Sequence, residues 1–408
     1  MQPRWLAIML IVLPAAAALA QDGLTIMDMD TIRHKPTEVG EQKTPAGTVE
    51  LVPGKFGQAC RFSFIADARG GFFTAWVNAS DEWDKAAGLS FWVQGDGSES
   101  WGGLELIDGE DYTCRYAYCF PIDSAEWRKI TIPWRDLVPE HPAAPFIDPQ
   151  NGYKPSRFRN VWFGKWWYWQ TYPAHSFAID QIQLEPTIEM DTADYTPTGS
   201  GLARTLAKLK AGQPVTIVTM GDSLSAKEHW ANREVLWSSL LKQKLEAEYH
   251  SQVTIVNAAI GGTTLDANLV LMPRWLQSTP KPDLVTVWFG YNDWDAGMRG
   301  PHFQETLGYA VDRIRRMTAG ASDVLLITTC PALKRWDDMA ELAQAARIVA
   351  SAKRAGLADT EAAFHAAGAD EAARTKLYVW DATHLGPPGH ELAAETVRQA
   401  LAAPGAGR

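Results

Sequence analysis

Two different periods run along this chain. Between residues 22 and 187, apolar and polar positions alternate. Leu89, Phe91 and Val93 interleave with Ser90, Trp92 and Gln94, the period-2 signature of a half-buried strand. The stretches Trp127–Trp134 and Ser176–Asp180 repeat it, and Gly/Asp clusters at 95–97 and 108–111 supply turns. Many short strands with no convincing amphipathic helix predict an all-β sandwich or jelly roll over 22–187.

After residue 213 the period changes. Residues 215–220, 253–256, 284–289 and 324–327 are short, nearly continuous apolar runs, as in strands covered on both faces. Between them Phe303, Leu307, Ala310, Val311, Ile314 and Met317 form one helical stripe, and Met339, Leu342, Ala346 and Val349 another. Strand–helix alternation predicts a doubly wound α/β domain over 213–404, with ligands beyond the carboxyl ends of its strands. The intervening 188–212 opens on a polar, uncored run and reads as a linker that leaves the two halves separate.

The first twenty residues follow neither pattern. Arg4, an apolar run from Trp5 to Ala17, and Ala18-Leu19-Ala20 before Gln21 predict a secretory signal peptide cut after Ala20. An uncleaved anchor is the alternative, for which the run is short. No cysteine precedes Cys60 to carry a lipid, and no later segment approaches the ~20 apolar residues of a membrane span. The expected location is therefore secreted or periplasmic.

Charge narrows the partners. The 408 residues carry a net charge of −10, which argues against a nucleic-acid partner, since that would need a basic face. Residues 22–190 hold 24 acidic and 15 basic side chains, so most of the acidity belongs to the first domain. Of the 18 tryptophans, ten lie in 22–190, among them Trp162, Trp166, Trp167 and Trp169. Some must fill a sandwich core, and any left outside can stack on sugar rings. The four cysteines, Cys60, Cys114, Cys119 and Cys330, allow three full pairings. Cys60 shares a strand face with Phe62 and Phe64, so a buried thiol is as consistent as a bridge.

The chemistry gathers where the second-half strands end. Gly221-Asp222-Ser223-Leu224 follows the first run, where a strand-to-helix turn would hold Ser223 out of the sheet; the plain alternative is that Asp222-Ser223 caps a helix. Gly261-Gly262 follows the second run and lets backbone N–H groups approach a reacting oxygen, or simply makes a turn. Gly290-Tyr291-Asn292-Asp293 follows the third, where the Asn292 amide can donate to an oxyanion or close an Asx turn. Asp381-Ala382-Thr383-His384 places carboxylate and imidazole three apart, on one side of a helix-like turn, so that Asp381 can hold one ring proton and leave the other nitrogen a base.

In order, each at a strand terminus of one α/β domain, these four blocks resemble the SGNH/GDSL hydrolase family over about 213–402. The resemblance implies a flavodoxin-like parallel sheet and ester hydrolysis. It implies Ser223 as nucleophile, His384 as base and Asp381 as its partner, with the Ser223 and Gly262 N–H groups and the Asn292 amide as oxyanion hole. Ala259 departs from the glycine many members carry in the second block. No metal or cofactor is called for in catalysis. Trp288, Trp294 and Trp380, near the site in sequence, are candidates to face acyl chain, sugar or core.

Residues 127–137 and 177–184 resemble carbohydrate-binding jelly-roll modules. Such modules often hold a structural Ca²⁺, for which Asp28, Asp30 and Asp180 would supply oxygens. The expected partner is an acylated carbohydrate, and the expected activity is that of a secreted carbohydrate esterase. A lipase, thioesterase or lysophospholipase is the enzymatic alternative. A carbohydrate-binding protein with an inert hydrolase scaffold is the non-catalytic one, disfavoured by intact Ser223, Asn292, Asp381 and His384.

Overall fold

The computed structural model describes residues 23–402, apart from residue 69 and residues 110–113, 141–143, 148–150 and 166–172. The expected signal peptide and Trp166, Trp167 and Trp169 lie outside the described residues.

Residues 24–185 form two antiparallel six-stranded sheets. One runs Arg128–Pro133, Gly88–Gly95, His175–Glu185, Gln58–Phe64, Gly47–Pro53, with Leu24–Met27 also paired to His175–Glu185. The other runs Val138–Pro139, Arg115–Pro121, Trp101–Asp108, Phe158–Lys165, Phe72–Trp76, Lys35–Pro36. The period-2 pattern holds for most of this strand: Leu89, Phe91 and Val93 point into the space between the sheets, and Trp92 and Gln94 stay partly exposed, but Ser90 is fully buried, its hydroxyl donating to Glu185 Oε1. Phenylalanine is the commonest residue of this core. Phe62, Phe73, Phe91, Phe120, Phe163 and Phe177 are all essentially inaccessible, in tilted and edge-on contacts such as Phe91–Phe120 at 5.1 Å. Tryptophan fills less of it than its abundance suggests. Trp83 and Trp134 stack near one end, whereas Trp76 is 65% exposed.

Cys60 lies in this core and its thiol donates to Met29 O; all four cysteines are free. The Asp28, Asp30 and Asp180 carboxylates are used locally. Asp28 Oδ1 accepts the Asp30 N–H, Asp30 Oδ1 accepts the Gln58 N–H at 2.7 Å, and Asp180 Oδ2 accepts the Phe56 N–H at 2.8 Å. Asp180 Oδ1 is buried without a hydrogen-bond partner, and burial pushes that carboxyl up. Among the described residues no three His, Cys, Asp or Glu side chains are arranged to hold a metal ion. Asp30 and Asp180 hold the 54–58 turn while Asp28 holds the Asp30 backbone, so the three carboxylates are spent on separate amides and do not fit the convergent oxygen cage of a calcium site.

The second domain is a five-stranded parallel sheet. Its strands are β1 (Val215–Gly221), β2 (Val253–Asn257), β3 (Leu284–Trp288), β4 (Asp323–Ile327) and β5 (Gly356–Ala358), in the order β2-β1-β3-β4-β5. The order reverses between β1 and β3, which opens a crevice at their carboxyl ends. The helices pack on both faces: α1 (Ala203–Lys210), α2 (Trp237–Tyr249), α3 (Leu265–Val270), α4 (Gly300–Met317), α5 (Ala340–Ala352) and α6 (Pro387–Ala402). The α4 stripe from Phe303 to Ile314 is fully buried, while Met317 at its end is exposed. No helix among the described residues is long and apolar enough to cross a membrane.

The stretch expected as linker is partly structural. Thr205 and Leu209 of α1 are buried, and Asp323 Oδ2 accepts the Thr205 N–H at 2.8 Å while Arg204 pairs with Asp323 Oδ1. The α/β domain therefore begins at α1, whose short apolar stripe is hidden among Lys and Arg in the sequence. The halves are not separate either. Phe72, Trp101, Ala117, Cys119 and Val138 of the sandwich share one hydrophobic cluster with Leu269, Val270, Met272 and Trp275. Around it, the Cys119 thiol donates to Val270 O, and Arg313, 1% exposed, donates to Asp136 O and to Tyr309 Oη.

Candidate active site

Ser223 stands just past the end of β1. The chain turns at once: the Ser225 and Ala226 N–H groups donate to Asp222 O, and the Leu224 N–H donates to Asp222 Oδ1. No helix begins here, contrary to the expected strand-to-helix turn. The following segment is polar and held by side chains, with Asn232 Nδ2 donating at 2.7 Å to both Ser223 O and Ala226 O. A side chain at Gly221 would put its Cβ 2.7 Å from Ser225 Oγ, so the turn requires glycine.

His384 comes from a loop after α5 and β5, brought back by the Tyr378–Leu385 bridge. This segment is an Asx turn and not a helical one. Asp381 Oδ1 accepts the Thr383 and His384 N–H groups at 3.0 and 2.9 Å, and Ala382 takes φ +65°. The turn frees Asp381 Oδ2 to accept the His384 Nδ1–H at 2.6 Å. The other ring nitrogen, Nε2, then accepts the Ser223 Oγ–H at 2.9 Å. Burial works to raise the Asp381 carboxyl, but bonds from the His384 ring and from both amides outweigh it and leave it lowered, hence ionised at neutral pH.

The loop after β2 lies against this turn. The Ile260 N–H donates to Gly221 O, and a Cβ built on Gly261 would sit 3.6 Å from Ser223 Cβ. Gly262 follows with φ +75°. After β3, Gly290 adopts φ +147°, where a side chain would strike Thr329 Oγ1. Asn292 Nδ2 donates to Thr263 O at 3.0 Å and, more weakly, to Asp222 Oδ2 at 3.4 Å. Buried Asp293 accepts the Leu265 N–H at 2.7 Å. Both residues thus fasten the Gly262 loop to the end of β3. Burial raises Asp222 to about 7 and Asp293 well above the carboxylate range.

Of the tryptophans expected near the site, Trp288 is a core residue. It is 1% exposed, meets Trp237 edge-on and donates its Nε1–H to Thr328 O. A central strand covered on both faces buries every side chain it carries. Trp294 is partly buried, with the guanidinium groups of Arg299 and Arg335 over its ring. Trp380 is 86% exposed and stacks on Trp230 at 5.4 Å. Sequence reasoning missed Trp230 and its neighbour His229. His229 stacks on His384 with ring centroids 4.1 Å apart, and Trp230 meets His384 edge-on at 5.8 Å. His229 caps and Trp230 opens a single 3₁₀ turn, Trp230–Asn232, too short to leave a pattern in the sequence, and only their position six and seven residues after Ser223 hinted at the site.

Residues 219–392 match the model of the GDSL-like lipase/acylhydrolase family. The second domain is a GDSL/SGNH hydrolase domain. Curated relatives of this GDSL domain include the Thioesterase 1/protease 1/lysophospholipase L1 of Escherichia coli, 29% identical over 127 residues, or 31% of this chain. The match spans 57% of that relative's length. Among solved structures, a lipase/acylhydrolase from Enterococcus faecalis is similar at 23% identity and a TM-score of 0.38, covering 45% of this chain and 94% of that one. An acetylxylan esterase from Geobacillus stearothermophilus is similar at 21% identity and a TM-score of 0.39, covering 47% and 96%.

Proposed function

We propose that this chain is a serine esterase, acting outside the cytoplasm, that removes acetyl or similar acyl groups from a polysaccharide or oligosaccharide. The observation that carries the esterase reading is the hydrogen-bonded chain from Ser223 Oγ through His384 to Asp381, at 2.9 and 2.6 Å. In this reading His384 Nε2 takes the hydroxyl proton as Oγ attacks the ester carbonyl. The Ser223 and Gly262 N–H groups and one Asn292 N–H receive the developing oxyanion, Asn292 giving up its longer contact with Asp222. The imidazolium then protonates the departing alcohol. Water, deprotonated by the same nitrogen, hydrolyses the acyl-enzyme and restores Ser223. The ionised Asp381 stabilises the imidazolium in both halves.

The sugar reading rests on the aromatic rim. A group beside His384 stands on the side where the leaving alcohol is protonated. The open face of Trp380, backed by Trp230, suits an alcohol with a flat apolar face, such as a pyranose. A jelly-roll, carbohydrate-binding-like first domain and the hydrophobic N-terminal segment fit the same setting. The second reading, a thioesterase or lysophospholipase, is supported by the printed name of the Escherichia coli relative.

Hydrolysis of p-nitrophenyl acetate, abolished in Ser223→Ala, tests the esterase reading. Acetylated xylan, pectin and alginate compared with long-chain esters and acyl thioesters test the substrate. Faster turnover of the long-chain or thioester set would replace the sugar reading by the second one.

A further inference from the structure

The loop that leaves the nucleophile turn brings a second imidazole against the first. His229 lies over His384 at 4.1 Å with 26° between the ring planes, close to face-to-face. Its own position is fixed on three sides. The Ala231 N–H donates to His229 Nδ1 at 3.4 Å, which leaves the ring proton on Nε2. A Cβ built on Gly261 would lie 3.6 Å from His229 Cδ2, so the oxyanion-side loop runs close against the ring. Asn232, three residues on, ties the loop to the Ser223 and Ala226 carbonyls.

Burial, reinforced by the neighbouring His384, pushes His229 down to about 4. It is therefore neutral near pH 7. The distinction matters because His384 alternates between imidazole and imidazolium. A charged neighbour at 4 Å would oppose the imidazolium, whereas the face of a neutral aromatic ring attracts a cation.

We propose that His229 is a positioning residue for His384, holding its ring plane between Ser223 and Asp381 and offering a neutral π face to the imidazolium formed in the transition state. It rests on the reading of His384 as the base. Asp381 fixes one ring atom of His384 through a single hydrogen bond, which still permits the ring to swing about that bond. Contact with the His229 face restricts that swing, and Trp230, edge-on to His384 from the same loop, limits it further. No bond to His229 forms or breaks in the reaction, and no proton passes to it.

The test uses the full-length protein with p-nitrophenyl acetate, taking kcat, KM and melting temperature on each preparation. His229→Ala should lower kcat by roughly tenfold with KM within about twofold, as for loss of an orienting contact and not of a binding one. His229→Phe keeps an aromatic face without a charge and should stay within about threefold of wild type. His229→Lys places a cation against the imidazolium and should fall at least as far as His229→Ala. A folded His229→Ala with wild-type kcat, a Phe variant no better than Ala, or a Lys variant as active as Phe would each overturn the proposal. Should the Ala variant unfold, the Phe-against-Lys comparison decides alone. Ser223→Ala is run alongside. Full activity there would sink the esterase mechanism itself, an outcome separate from any result at His229.

Discussion

Asn292 donates its side-chain N–H to Thr263 O at 3.0 Å, tying the end of β3 to the loop that carries Gly262. The same amide reaches Asp222 only at 3.4 Å, a length at which a hydrogen bond is weak and readily exchanged. An oxyanion arriving beside Ser223 can take that second N–H. The bond then matters mainly in the transition state, where charge sits on oxygen. Asn292→Ala should lower kcat by roughly 10²–10³, about 2.7–4 kcal/mol, with little change in KM. If Asn292 only fastens the loop, the variant should lose melting temperature and its folded fraction should keep its kcat. Measuring all three on one preparation separates the two.

Ser223→Ala and His384→Ala should each remove nearly all esterase activity and leave the fold intact, because members of a triad act as a unit. Near-normal turnover in either folded variant would dismiss the assignment.

The two kinds of sheet were legible in the sequence, for a physical reason. Phe91 and Val93 alternate with polar positions because one face of a sandwich sheet meets solvent, whereas Leu284–Trp288 is continuously apolar because a central parallel strand meets none. The first three motif blocks were legible because a strand end and a glycine fix where a side chain must stand; Asp381–His384 has neither, stands in a loop held by the Tyr378–Leu385 bridge, and was legible only from its residue types and spacing. What escaped depends on contacts between distant segments. Nothing local distinguishes Trp288, which is buried, from Trp380, which is open. His229 carries no pattern of its own and gains meaning only when His384, 155 positions later, folds onto it. The helix-like reading of Asp381–His384 failed because the Asp381 carboxylate captured two backbone N–H groups.

Stability should depend on two buried histidines. His34, against Phe62 and Phe163, and His390, buried in α6, are each pushed down by burial to about 4. Above pH ~6.5 both are neutral folded or unfolded, and contribute nothing to the slope. As pH falls from there to about 4 the unfolded chain binds a proton that the native chain refuses, so stability is lost through this window. The loss is at most about 3 kcal/mol per residue. The raised carboxyl of Asp222 acts in the opposite sense, losing stability as pH rises from about 4 towards 7. The diagnostic is therefore a difference: urea unfolding of His34→Leu between pH 4.5 and 7 should show a flatter loss towards acid than wild type. Parallel curves would mean that His34 takes its proton in the native state as readily as in the unfolded one.

The interface between the halves should resist being cut. Every residue of the proposed triad and oxyanion hole lies beyond residue 215, so a chain starting near 196 keeps all of the chemistry. It loses what the chemistry stands on. The Cys119 thiol and the sandwich side of the shared cluster cover α3, which directly follows the Gly262 loop. Removing them leaves Leu269, Val270, Met272 and Trp275 facing water, at about 1.5–3 kcal/mol for each large apolar side chain laid bare. The buried Arg313 also loses Asp136, whose carboxylate stands 3.9 Å from Nη1 and 2.6 Å from Arg316. The truncated chain should therefore aggregate or melt far below the full protein. A gentler cut isolates the ionic part: Asp136→Ala leaves the apolar cluster intact but strips a buried guanidinium of its counter-charge. It should cost about 3 kcal/mol in urea unfolding, with kcat on p-nitrophenyl acetate unchanged in the folded protein. A monomeric truncation that melts within a few degrees of the full chain, and hydrolyses the same ester as fast, would show that the sandwich is dispensable to the GDSL domain.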